Sequence, residues 1–417
     1  MALPTPMDAD AGAADAADAA ARTEGPPQAR AAIRALGASR IREVANAGLG
    51  VDGVLAFWFG EPDQVTPAFI RDAAKAALDA GDTFYRHNLG IAPLREALAD
   101  YVARLHRPVG AQRVAVTSSG VSALMLAAQL LLGPGDRVAI VVPVWPNVAE
   151  IPKVLGARVD RVALRLDGES GRWRLDLDRL LDAITPATRA VVVNSPNNPT
   201  GWVMDAAQMA ALLGHCRRTG TWIVSDEAYE RLVFDGSGLA PSILDVADAD
   251  DRVIVANTLS KAWQMTGWRL GWLVVPPTLV DDLGKLIEYN TSCAPGFVQA
   301  AGVVAVRDGE PVTRAFVEAL GRRRDALLEA LAPIPGVTVG RPDGAMYAFL
   351  RVDGCDDSLA LAKALVRERG LGLAPGSAFG DEGEGWLRWC FAKPEEELRE
   401  GASRLARHLA QRSPRLR

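Results

Sequence analysis

The sequence predicts an α/β protein, with a large domain on a mainly parallel sheet sandwiched by helices and a smaller α+β domain beside it. Three observations carry this prediction. From Arg113 onward, short β-rich runs alternate with amphipathic helical stretches, the pattern of a parallel sheet buried on both faces. After about residue 290 the text changes to long Ala/Leu/Arg helices with only two or three strands between them. The chain has 417 residues, 49% of them apolar and 23% charged, which is globular composition and enough length for two or three domains.

The elements follow in order. Residues 1–30 are rich in Ala but interrupted by Asp8, Asp10, Asp15 and Asp18, so they read as a disordered tail and not a signal peptide. Residues 31–60 form an N-terminal segment: a helical pattern over 31–47, then the extended "VLAFWFGEPD" ending in a Gly-Glu-Pro turn. This segment is expected to join the small domain. Residues 61–295 are read as the large domain. It opens with helices at 66–80 and 91–106, after which "RVAVTS", "RVAIVVPVW", "RVDRVAL", "RAVVVNSP", "TWIVSD", "RVIVANTLS" and "GWLVVPP" alternate with helices, the last at 278–289. Residues 296–417 are read as the small domain, with helices at 311–332, 358–369 and 394–411 and strands "VTVGRP", "AMYAFLRV" and "GWLRWCFA".

Composition also excludes several function classes. A net charge of −5 and the lack of a Lys/Arg block give no electrostatic footprint for nucleic acid or an anionic membrane. The longest apolar run, residues 138–145 with Pro143 inside it, is far shorter than the ~20 residues that span a bilayer. Four widely spaced cysteines (Cys216, Cys293, Cys355, Cys390) make neither a disulfide framework nor a CxxC metal site, and a reducing cytoplasm fits them best. "GLGVDG" at 48–53 satisfies GxGxxG, but a helix precedes it and an extended segment follows, so it reads as a helix cap and loop. The four histidines are scattered.

Chemistry-bearing residues cluster where the β-rich runs end, the place where α/β sheets bind ligands. "RVAVTS" runs into Ser119, Gly120 and Val121 at a helix start, a ready anion site, although a plain N-cap explains Ser119 equally. Trp145 stands between two prolines at the next strand end, either as core or as a plate for stacking. The loop "NSPNNPTG" would offer the Asn198 amide. Asp226 follows the apolar "WIV" and would be buried, and a buried carboxylate needs a cationic partner. Only six of the 46 basic side chains are lysines, and Lys261 sits among Leu, Ala, Trp and Met, where desolvation favours a neutral, nucleophilic amine. A phosphate site, a plate, a buried carboxylate, an amide, a phenol (Tyr229) and a lysine together match the groups of pyridoxal 5′-phosphate.

From about Arg40 to Leu409 the sequence resembles the class I/II aminotransferases of the fold type I pyridoxal-phosphate enzymes. The resemblance rests on "GEPD", "YRHNLGIAPLREAL", "NSPNNPTG", "SDEAY", "TLSKAWQMTGWRLG", "APGSAFG" and "LRWCFA", in family order and with similar spacings. It implies a seven-stranded-type sheet in the large domain. It makes Lys261 the Schiff-base lysine and proton carrier, pairs Asp226 with the pyridine nitrogen, and sets Asn198 and Tyr229 on the 3′-oxygen. Trp145 takes the stacking position. Ser119, Gly120 and Val121, with Thr258, Arg269 and Ser260, hold the phosphate, and Tyr85 reaches the phosphate of a neighbouring subunit in a homodimer with composite sites. Arg388 reads the substrate α-carboxylate, with Gly60 and Asn198 beside it.

The implied activity is transfer of an amino group between an L-amino acid and a 2-oxo acid by a ping-pong mechanism. A C–S β-lyase or a cyclopropane-carboxylate-type synthase is the alternative on the same fold. In one aspartate-using branch of the family a lysine stands where this chain has Val121, and Phe59, Met346 and Tyr347 are candidates for the side-chain pocket. Both points lean towards a neutral or apolar amino acid.

Overall fold

The computed structural model describes residues 28–412. The tail expected over 1–30 therefore lies, apart from its last three residues, outside the described residues.

A seven-stranded sheet carries the large domain. Its strands are β2 (Val114–Thr117), β3 (Arg137–Val142), β4 (Arg158–Ala163), β5 (Thr188–Asn194), β6 (Trp222–Asp226), β7 (Val253–Thr258) and β8 (Gly271–Val274). The spatial order is β2-β8-β7-β6-β5-β3-β4. All neighbours run parallel except β8, which is antiparallel to both β2 and β7. β2, β7 and β8 are buried along their whole length and β5 at every residue except Arg189, as a sheet covered on both faces requires. The cover includes α2 (Ala68–Asp79), α3 (Ala92–Leu105), α4 (Gly120–Leu131), α5 (Pro146–Val154), α6 (Leu177–Ala183), α7 (Ala206–Thr219) and α8 (Val280–Glu288). Helix α7 begins where its pattern says it should, with Asp205 and Gln208 forming a reciprocal capping box.

Two departures from the sequence reading have local causes. The helical pattern over 31–47 is broken into a single turn at Ala31–Arg34 and α1 (Arg40–Ala47), because Ser39 leaves the helical conformation and caps α1 by accepting from the Arg42 N–H at 3.2 Å. The sequence reading has no helix directly after residue 295, yet α9 (Gly296–Asp308) forms there and packs on α2 and α3. Its sequence is nearly all Gly, Ala and Val, so it carries little amphipathic contrast.

Helix α10 (Glu310–Leu331) leads to a four-stranded antiparallel sheet of order β9-β10-β13-β12, comprising β9 (Val337–Val339), β10 (Tyr347–Val352), β12 (Ala374–Pro375) and β13 (Trp386–Cys390). Helices α11 (Ser358–Arg369) and α12 (Glu395–Arg412) flank it. The N-terminal segment packs here too. Strand β1 (Leu55–Ala56) pairs in parallel with β11 (Leu371–Gly372), and α1 lies against α11. "GLGVDG" is the cap and loop between α1 and β1, with Gly50 and Gly53 at positive φ. Cys216, Cys293 and Cys390 form no disulfide among the described residues. Among the described residues no helix is long and apolar enough to cross a membrane, and no cluster of His, Cys, Asp or Glu could hold a metal ion.

Candidate active site

Strands β2, β5, β6 and β7 end on the same side of the sheet. The register sets Asn194 opposite Asp226 and Asp226 opposite Ala256, so the polar strand ends stand side by side. Between them and the small sheet lies a cavity of about 240 Å³. Every site residue singled out from the sequence lines it, with two exceptions, Ser119 and Tyr85.

On the floor, Asp226 is 5% exposed and makes no ion pair among the described residues. Its Oδ1 accepts only from the Ala228 N–H, at 3.3 Å. Burial pushes its carboxyl up to about 6. The cationic partner that a buried carboxylate needs is thus not supplied by contact with a protein group. Lys261 Nζ donates to the Gly60 carbonyl at 2.7 Å, and burial drives its ammonium down to about 8. It lies over the Tyr229 ring, 5.7 Å from the centroid.

Arg388, on β13, is 2% exposed and also makes no ion pair among the described residues. Its guanidinium is held by neutral groups: Nη1 donates to Asn198 Oδ1 at 3.0 Å and Nη2 to the Trp58 carbonyl, while the rings of Tyr347 and Phe379 lie 4.5 and 5.0 Å away. Its Nε is buried with no hydrogen-bond partner. With Oδ1 of Asn198 taken by Arg388, that side chain has its N–H donors to offer a ligand. The Tyr229 hydroxyl sits 2.7 Å from that of Tyr347.

At the other end of the cavity, α4 presents its N-terminus, and Gly120 and Val121 line the wall. Ser119 caps the helix by accepting from the Ser122 N–H at 3.0 Å, so its hydroxyl is occupied and the plain N-cap reading holds for that side chain. Gly271 of β8 passes directly beneath, where a Cβ would lie 2.7 Å from the Gly120 nitrogen, so only glycine lets the strand approach. Thr258 Oγ1 lies 3.0 Å from the Leu270 carbonyl and 2.9 Å from Ser260 Oγ. Arg269 is exposed, with Nη1 on the Thr266 carbonyl at 2.5 Å. Trp145 forms part of the wall near α4.

Tyr85 is 88% exposed and lies in a separate depression beside Phe84 and Cys293. Of the three residues offered for the side-chain pocket, Phe59 and Tyr347 line the cavity, and Met346 is fully buried outside it. Met346 stands in the turn just before β10 and does not share the cavity face that Tyr347 takes. Ile41, from α1, also lines the wall. Nothing in the sequence marks it, since an apolar residue on an amphipathic helix looks like core.

The chain matches the family described as aminotransferase class I and II over residues 54–405 and belongs to that family. It is 34% identical over 375 residues to an aspartate aminotransferase of Pyrococcus horikoshii, covering 89% of this chain and 94% of that one. It is 36% identical to an arginine–pyruvate transaminase of Pseudomonas aeruginosa, covering 85% and 89%. A solved single mutant of the Thermus thermophilus aspartate aminotransferase superimposes with a TM-score of 0.84 at 34% identity, covering 92% of this chain and 100% of the other. The protein is thus an aminotransferase, acting between amino acids and 2-oxo acids. The family uses pyridoxal phosphate, and the sheet, its helices and the small antiparallel domain are the fold that the sequence led us to expect.

Proposed function

We propose that this cavity binds pyridoxal 5′-phosphate and exchanges amino groups by a ping-pong sequence with a neutral, apolar amino donor. The observation that carries the reading is a pair of buried charges, Asp226 and Arg388, that face one cavity and have no ionic partner among the described residues. Burying unpaired charge is costly, and a ligand with a ring cation at one end and a carboxylate at the other would relieve both.

The donor set suits the cofactor. The first turn of α4, Thr258 and exposed Arg269 would hold its phosphate, with Ser260 beside them. Trp145 would cover the ring, and Asn198 and Tyr229 would donate to its oxygen. When bound, pyridoxal phosphate supplies the electron sink that makes an α-proton of an amino acid removable. Lys261 would take that proton, since burial lowers its ammonium to about 8 and so favours the neutral amine. Asp226, enclosed in apolar surroundings, would hold a proton on the ring nitrogen. Arg388 would orient the substrate through the substrate's carboxylate, its planar fork packed against the rings of Tyr347 and Phe379.

Substrate class follows from what remains. The cations lining the cavity are Lys261, Arg269 and Arg388, and each already has a task. Ile41, Phe59 and Leu124 supply apolar wall, Val121 offers no charge, and Glu61 is the one acidic residue besides Asp226 among the described residues of the lining. Tyr85 would serve the phosphate of a second subunit in a homodimer with composite sites, a role that suits its exposure. Cytoplasmic residence fits the unbridged thiols of Cys216, Cys293 and Cys390. The test is a screen of amino donors, with 2-oxoglutarate and pyruvate as acceptors, followed by the absorbance change of each half-reaction. Apolar donors should exceed aspartate in kcat/KM. A tenfold preference for aspartate would overturn the substrate assignment.

A further inference from the structure

Tyr347, the first residue of β10, touches two residues that the proposed function assigns to opposite ends of the bound molecules. Its hydroxyl lies 2.7 Å from that of Tyr229, and its ring faces the Arg388 guanidinium at 4.5 Å. The side chain is 1% exposed, so water replaces neither contact.

Three features fix it there. The β10–β13 register pairs Tyr347 with Cys390 and Phe349 with Arg388, which sets Tyr347 diagonal to Arg388 on one face of the sheet. The Phe379 ring is a second aromatic neighbour of the guanidinium, its centroid 5.0 Å away. Gly60 makes room for the phenol tip, where a Cβ would lie 1.9 Å from the hydroxyl oxygen.

Two hydroxyls at this distance share one proton between them. If the Tyr229 proton goes to an oxygen of the ligand, the Tyr347 proton must go to Tyr229. A donor chain of this kind polarises along its length and strengthens its last bond. The ring acts separately, because a guanidinium stacked on an aromatic face keeps its plane, and the plane sets where a bidentate carboxylate can sit.

We propose that Tyr347 is a positioning residue for amine transfer, its hydroxyl setting the donor strength of Tyr229 and its ring setting the plane of Arg388. The proposal rests on the roles given above to Tyr229 and Arg388. It predicts that one side chain governs two measurable properties that can be removed one at a time.

The experiment uses the protein loaded with pyridoxal phosphate and three variants, Tyr347→Phe, Tyr347→Leu and Tyr229→Phe. For each, the pH midpoint of the bound cofactor's visible absorbance and the KM for a good amino donor are measured. Tyr347→Phe keeps the ring and should raise the midpoint by roughly half a pH unit, since a weaker donor chain favours the protonated form. Its KM should stay within about twofold of wild type, because the stacked ring remains. Tyr347→Leu should show the same rise in midpoint together with a KM about three- to thirtyfold higher. Tyr229→Phe should raise the midpoint further than either. A Tyr229→Phe shift without a Tyr347→Phe shift overturns the hydroxyl role and leaves the reading of Tyr229 standing. No shift in Tyr229→Phe overturns that underlying reading itself. A wild-type KM in Tyr347→Leu overturns the role of the ring. Tyr347→Phe is nearly isosteric, so the hydroxyl arm does not depend on how well the leucine variant folds.

Discussion

The Lys261 amine donates to the carbonyl of Gly60 across 2.7 Å, tying the end of the β7 run to the segment that follows β1. A neutral amine can keep this bond and still present its lone pair to the cavity, and burial favours the neutral form by lowering the lysine to about 8. In protein freed of cofactor, acylation of Lys261 by a small reagent, read by peptide mass spectrometry, should therefore level off just above pH 8. Lys285, whose ammonium Asp282 holds on to its proton, should continue to accelerate well beyond that point.

Asp226 sets stability against activity. Its carboxyl is raised to about 6 in the fold, so the folded protein holds a proton that the unfolded chain has already lost between about pH 4 and 6. Stability is thus lost as pH rises through that window, and at pH 7 the buried charge costs about 3 kcal/mol. Asp226→Asn should leave cofactor-free protein as stable as wild type near pH 4. By pH 7 it should melt at a higher temperature. The same substitution should lower the activity of the loaded enzyme by roughly 100-fold or more, because the charge proposed to hold the ring-nitrogen proton is gone.

Arg388 reaches Asn198 and the Trp58 carbonyl with different nitrogens while two aromatic rings pack against its guanidinium. Lysine offers one point charge in place of that fork. Arg388→Lys should reduce kcat/KM for α-amino acids on the order of 100-fold. Steady-state kinetics should show most of this in KM, and a simple amine lacking the carboxylate should be unaffected.

Gly60 lies so close to the Tyr347 hydroxyl that an added methyl would overlap it. Gly60→Ala should push the phenol away from Tyr229 and shift the cofactor titration in the same direction as Tyr347→Phe. Thermal melting should also register a loss of about 1–3 kcal/mol from overpacking.

Much of the cavity lining was legible because α/β sheets concentrate polar residues at strand ends, where Asp226 and Lys261 follow apolar strands and Asn198 lies in a turn-rich loop. Those signals are local, so a sequence displays them. Ile41 and Tyr347 were harder to read, since their place in the cavity depends on how α1 and β10 pack against the large domain. Neighbouring positions show the difference: Met346 and Tyr347 are both buried, and only Tyr347 lines the cavity. Helix α9 was missed for a different reason, its small and apolar residues giving no face to recognise. The break ahead of α1 was signalled by Ser39, a cap residue inside an otherwise continuous helical pattern.

The central claim is that Lys261, among the six lysines, carries the amine chemistry. Borohydride reduction of the cofactor-loaded protein fixes the cofactor to its lysine, and peptide mapping then reports which one. The modification should appear on the peptide containing Lys261 and disappear if amino acid is added before the reductant. Stoichiometric labelling of Lys75, Lys153, Lys285, Lys363 or Lys393 in its place would contradict the account.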